Sequence, residues 1–213
     1  MRSVAAACAL LALAACSNRP GYSLSLRPDD APRVRDASYY DVLERYTQYR
    51  QHYDGLDHRF FFAATWQSWA FRQRRVVATA EFLGLTPEEH EALLARERDE
   101  AARYVDFFVG LYTADRDWNT LSAKDSIWRV ELDLGDGRIL LPTSIQRLVR
   151  PDANTQALYA YLTPFWYGYR IRFSGTDEAG APLLRPGAPL RLRVTSAVGS
   201  VVGAWPVGPA DLP

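Results

Sequence analysis

The sequence predicts an α+β fold: an N-terminal three-helix segment packed on a C-terminal antiparallel β-sandwich-like domain of about six strands. Three observations lead there. Between about positions 38 and 112 apolar residues recur at steps of three and four, the period of an amphipathic helix. After Asp117 the period drops to two, the signature of half-buried strands. Gly-rich turns such as Gly135-Asp136-Gly137 then punctuate the second half. The chain has 213 residues, enough for a real core, and six Trp, twelve Tyr and nine Phe to fill it. Its 25 basic residues balance 25 acidic ones, so no charge bias points to nucleic acid, and none is expected as a partner.

The elements are taken in chain order. Arg2 precedes about ten apolar residues and then the small residues Ala14-Ala15 before Cys16, the layout of a secretory signal. Ten apolar residues reach only about 15 Å as a helix, roughly half a bilayer core, so residues 1–15 read as a signal peptide and not as a span. Leu13-Ala14-Ala15-Cys16 resembles a bacterial lipobox. The resemblance implies a lipoprotein, cut before Cys16 and held by a lipid on that residue. Ser17, where the family carries Asp for retention at the inner membrane, implies transport to the outer membrane, facing the periplasm. Beyond the signal the body is similar in general shape to uncharacterised envelope lipoproteins. Cys8 leaves with the signal and Cys16 is consumed by the lipid, so no thiol remains for a disulfide, a thiolate metal site or a nucleophile.

Residues 16–36, with Pro20, Pro28 and Pro32, read as the lipidated Cys and a flexible tether. Residues 37–117 read as helical. Ser38 caps a first helix with Tyr39, Val42, Leu43, Tyr46, Tyr49 and Tyr53 on one stripe, and Gly55 breaks it. A second helix runs from about Leu56 to Phe82, closed by Gly84. Thr86-Pro87-Glu88-Glu89 is a strong helix start, and the third helix is expected from Pro87 to about Tyr112. Residues 118–213 read as β-rich: Ile127 to Leu134, Arg138 to Leu141, Phe165 to Phe173, Leu190 to Val194, and a last strand ending near Trp205. The helices and strands are expected to form one folding unit, because each half has an apolar face needing cover.

Four clusters are candidate sites. His52, Asp54, Asp57 and His58 are zinc-type ligands, but Gly55 interrupts them and a turn explains the same residues. Asp115, Asp117 and Asn119 open like a calcium loop, yet Thr120 and Ser126 stand where that loop needs Gly and Glu. No metal and no cofactor are therefore expected. Trp166 falls on the polar side of the alternating run Phe165, Tyr167, Tyr169, either as part of an aromatic platform or packed under the helices. Arg170, Arg172, Arg191 and Arg193 make a basic face that a ligand anion, or Glu131 and Asp133 on a neighbouring strand, can neutralise. Glu131 and Asp133 carry no mark of an acid and base pair, and no nucleophile elbow, His-Glu-x-x-His or phosphate loop is present.

The expected function is thus a non-enzymatic outer-membrane lipoprotein serving as a binding or scaffold module for another envelope component. The alternative is a periplasmic small-ligand or glycan binder using Trp166, Arg170 and Arg172; a metal-dependent hydrolase comes third.

Overall fold

A computed structural model describes residues 37–148 and 151–213, so the signal, Cys16 and the tether fall outside the described residues. The elements are α1 (Ala37–Tyr46), β1 (Thr47–Asp54), β2 (Asp57–Trp66), α2 (Trp69–Leu83), α3 (Pro87–Arg103), β3 (Tyr104–Thr113), β4 (Arg129–Asp133), β5 (Ile139–Leu140), β6 (Ser144–Leu148), α4 (Ala153–Leu158), β7 (Tyr167–Ser174), β8 (Pro189–Ser196) and β9 (Gly199–Pro206). The class is α+β, with two antiparallel sheets and four helices. Five strands lie in the order β1-β2-β3-β7-β6, and four in the order β5-β4-β8-β9.

The three-helix N-terminal segment needs correction. Helices α1, α2 and α3 exist at the expected places but are shorter, and each expected helix also contains a strand. Tyr49 and Tyr53 lie on β1, Phe60 to Trp66 on β2, and Val105 to Leu111 on β3. The physical reason is burial on both faces. Phe60, Phe62, Ala64 and Trp66 point into the core between the sheets, while Ala63 joins a second core under the helices. Such a strand reads as a continuous apolar run, which at this length is indistinguishable from a buried helix by period. Moreover, α1 passes into β1 and α3 into β3 without an intervening residue, so no glycine or proline marks the change.

The larger core is closed by aromatic packing: Phe107 meets Phe173 edge-on at 6.0 Å and Trp205 at 5.2 Å. The far corner is tied by Trp205 Nε1 donating to the Tyr46 carbonyl at 2.8 Å and by the Tyr46 hydroxyl donating to Asp211 at 2.5 Å. Burial, then that carboxylate, pushes the Tyr46 hydroxyl up to about 12.

The helix ends follow their residues. Ser68 accepts from Phe71 N at 3.2 Å to open α2, and Gly84, at φ 65°, closes it in the left-handed region. Thr86 and Glu89 form a reciprocal capping box on α3, with bonds of 3.2 and 2.9 Å. Phe71 and Ala78 of α2 share the second core with Ala63 and Phe108, so α2, with α3 bonded to it through Arg72 and Glu97, lies over the outer face of the five-stranded sheet. None of the described helices is long and apolar enough to cross a membrane.

Candidate functional site

The site begins with two pairs of side chains at helical spacing. Arg72 and Arg75 on α2, and Glu97 and Glu100 on α3, each stand three residues apart and so share a face. The short α2–α3 connection sets these faces against each other and over β3 and β7. There Asp106 and Arg172 are register partners on the outer face. The sequence therefore builds a charged cluster under a helical roof.

Its bonds are short and shared. Arg72 donates to Glu97 (2.6 Å), to Asp106 (2.7 Å) and, through Nε, to the Gln67 carbonyl (2.9 Å). Arg172 grips both oxygens of Asp106 at 2.9 Å, also bonds Glu100, and lies 4.0 Å over the Tyr104 ring. Arg75 reaches Glu97 at 2.5 Å. Burial pushes the Glu97 carboxyl up, but Arg75 and Arg72 outweigh it and hold it below the usual range. Bonding to Asp106 raises the Arg172 guanidinium further above its already high value.

Beside the cluster lies a cavity of about 460 Å³ between α2, α3, α4 and the sheet. Five arginines line it, Arg72, Arg75, Arg96, Arg170 and Arg172, against only the three carboxylates Glu97, Glu100 and Asp106. Phe108, Leu148, Leu158 and Tyr159 supply an apolar part of the wall. The Tyr159 ring stacks on Phe108 at 3.8 Å, and its hydroxyl donates to Gln67 at 2.9 Å. Burial raises that hydroxyl's pKa against the opposing charges of Arg75 and Arg170. Three arginines of the wall have donors without a protein partner among the described residues, and of these donors only the Arg75 Nε is buried, Arg96 and Arg170 being exposed to water. Arg75 Nε is buried without a hydrogen-bond partner, and the side chains of Arg96 and Arg170 make no hydrogen bond or ion pair.

The residues singled out in the sequence have separate fates. Arg170 and Arg172 both line this cavity; Trp166 does not. Trp166 is half-buried and lies parallel to Phe61 at 6.2 Å, packed with Tyr161 on the helix side of the sheet. Gly110 makes room: a Cβ there would fall 2.8 Å from Trp166 and 3.0 Å from Tyr161. Phe165, expected in the core, sits in the turn before β7 and is 70% exposed. It borders a second cleft of about 430 Å³ with Tyr112, Arg116 and Tyr167.

Arg191 and Arg193 lie on the other sheet, where Asp133 (3.3 Å) and Glu131 (3.6 Å) are their register partners. His52 and His58 do not converge: His52 stacks on Phe60 and abuts Gly199, whereas His58 packs between Phe61 and Tyr112. Burial lowers the His58 pKa. Asp115 caps a short 3₁₀ turn by accepting from Asp117 N, and Asn119 is buried, donating to the Leu111 carbonyl and accepting from Tyr169. No group of three or more His, Cys, Asp or Glu converges on a metal position among the described residues.

Sequence reading missed Arg72, Arg75, Glu97, Glu100 and Asp106. A signal existed for the last: an aspartate inside Val105-Asp106-Phe107-Phe108-Val109 is a charge in a buried run, which demands a partner.

No family profile matches the chain, and no curated protein does. A solved structure that it resembles is described as a novel protein of unknown function from Burkholderia pseudomallei, at 13% identity, covering 83% of this chain and 89% of that one with a TM-score of 0.38. The argument for function therefore rests on the residues of this chain.

Proposed function

We propose that the chain is a non-enzymatic binding module of the bacterial envelope, tethered through a lipid on Cys16, whose binding site is the cavity between the helical roof and the five-stranded sheet. One observation carries the reading: the cavity wall holds more guanidinium groups than carboxylates, and Arg96 and Arg170 are left without partners among the described residues. Arg96 and Arg170 are exposed, so water solvates them and they are free to meet an anionic occupant at the mouth of the cavity.

Two measurements test the proposal. Mass spectrometry of the membrane fraction should find the mature N-terminus at a diacylglycerol-modified Cys16, and Cys16→Ala should abolish that form; an unmodified N-terminus elsewhere removes the tether. A ligand-observed NMR fragment screen on the full chain should give hits that vanish in Gln146→Trp, which plugs the cavity from the exposed edge of β6. Hits that persist in that variant, or none at all, defeat the cavity reading.

A further inference from the structure

We infer that the cleft beside Phe165 receives an extended peptide, one residue of which, a serine or threonine, takes the place opposite Thr113 that β7 leaves empty. The site lies at the other end of β3 from Asp106 and is independent of the cavity. β3 is the middle strand of its sheet, with β2 on one side and β7 on the other. Its two neighbours do not end together. Pairing with β2 runs on until Phe60 stands opposite Thr113, whereas pairing with β7 stops with Tyr167 opposite Leu111. The next step on that side would set Phe165 opposite Thr113. Instead the bond from Trp166 N to the Thr163 carbonyl turns the chain aside, and Phe165 is 70% exposed.

Parity shows what the empty step presents. In antiparallel pairing the backbone groups of alternate residues turn to opposite neighbours. Gln67 N donates to the Asp106 carbonyl and Ala114 N to the Arg59 carbonyl, so the even-numbered residues along β3 face β2. Gly175 N donates to the Arg103 carbonyl, so the odd-numbered ones face β7. Thr113 therefore turns its N–H and C=O into the vacated step. Its side chain, two residues on from Leu111, shares the inward face, and its hydroxyl is buried without a hydrogen-bond partner among the described residues. Only 4% of Thr113 is exposed, unlike the end of an edge strand, where water meets such groups. The cleft around it, about 430 Å³, is walled by Tyr112, Arg116, Asn119, Pro164, Phe165 and Tyr167.

These groups select the occupant. One residue of an extended peptide supplies the complementary C=O and N–H, the hydrogen bonds of strand addition. The hydroxyl then selects the side chain. Residues directly opposite in a sheet bring their Cβ atoms within about 5.5 Å, close enough for one hydroxyl to bond another. The same sheet contains the arrangement: Thr47 and Thr65 are register partners with their hydroxyls 2.8 Å apart.

The test is a titration of the full chain, followed by amide NMR, with N-acetyl-threonine N-methylamide, its valine analogue, and the threonine compound methylated on the threonine nitrogen. The threonine probe should bind saturably and shift the Thr113 and Ala114 amide signals. Valine has the same shape without the hydroxyl and should bind about fivefold more weakly, the equivalent of one hydrogen bond. The methylated probe, which has lost the ladder donor, should bind about tenfold more weakly. Thr113→Val should melt no lower than the native chain, bind the threonine and valine probes equally, and still reject the methylated one. Gln146→Trp, which plugs the cavity, should bind the threonine probe as the native chain does; loss of binding there would move the site to the cavity and overturn the inference. Equal binding of threonine and valine by the native chain overturns the side-chain assignment, and equal binding of the methylated probe overturns the ladder. If no probe shifts Thr113 at its solubility limit, water meets these groups and the inference falls. It falls too if the Thr113 amide of the free chain exchanges as slowly as that of Val109, because Phe165 then completes the step itself.

Discussion

The two outward faces of the sandwich carry the same chemistry in opposite surroundings. On the four-stranded sheet, Glu131 pairs with Arg193 and Asp133 with Arg191 across neighbouring strands, in the open, with the arginine side chains 40% and 44% exposed. On the five-stranded sheet, Asp106 pairs with Arg172 across neighbouring strands as well, but under α2 and α3, where the Asp106 side chain is 4% exposed and that of Arg172 21%, and Asp106 is shared with Arg72, itself 4% exposed. Water decides what each arrangement contributes. An exposed pair gains little, because solvent screens it and two long side chains must be held still. A covered network is indifferent or mildly costly as a whole, yet breaking it strands a charge where no water can reach it. The open face therefore keeps a strand in register and soluble, while the covered face locks the helical roof to the sheet and frames the cavity.

The sharpest way to break this comparison is to delete the shared anion. Asp106→Asn leaves both Arg72 and Arg172 facing a neutral amide, and the expected loss is about 3–5 kcal/mol by urea denaturation. Combining Asp106→Leu with Arg72→Met should recover part of the loss, because an apolar pair needs no solvation. A loss under about 1 kcal/mol would place the network in the same class as the open ladder.

Acid provides the next largest effect. The Glu97 carboxyl titrates below its usual value because Arg75 and Arg72 outweigh its burial. A depressed carboxylate pKa makes the unfolded chain the better proton acceptor, so this contribution is complete above about pH 4.3 and drains away as pH falls through the lower folded value. Melting temperatures should fall on that acid limb, and Glu97→Gln should be less stable at pH 7 with a flatter limb. An unchanged limb in that variant would show that Glu97 does not clamp the roof.

The same contrast explains what could be read from the sequence. Strands of the open sheet have one wet face, so Arg129, Glu131 and Asp133 alternate with Val130 and Leu132, and the hairpin to Ile139 was legible. Strands β2 and β3 are covered on both sides, so their wet face is missing and with it the alternation, and their apolar runs match a buried helix equally well. What was lost was thus the information that solvent writes into a sequence. Capping chemistry is local and survived, as at Thr86 and Glu89. The cavity was half-legible: Arg170 and Arg172 were visible as a basic face. Their division into one paired and one open arginine depends on Asp106 and Phe108 lying opposite them on β3, a long-range register that no local period encodes.

The smallest effect is expected on the open face, where it can be measured most cleanly. Arg193 lies 3.6 Å from Glu131, a carboxylate that also accepts from Arg129 at 2.6 Å. Removing Arg193 therefore leaves Glu131 with a cation and with water, and neither charge is stranded. A double-mutant cycle with Arg193→Ala and Glu131→Ala should give a coupling below about 1 kcal/mol at 0.15 M salt, shrinking further at 1 M as the Debye length falls to about 3 Å. The corresponding cycle with Arg172→Ala and Asp106→Ala, under the roof, should be several times larger and nearly insensitive to salt. Equal couplings, or equal salt dependence, would mean that the helices do not seal the covered face, and the cavity beside it would then be an extension of bulk water and a poor place to hold a ligand.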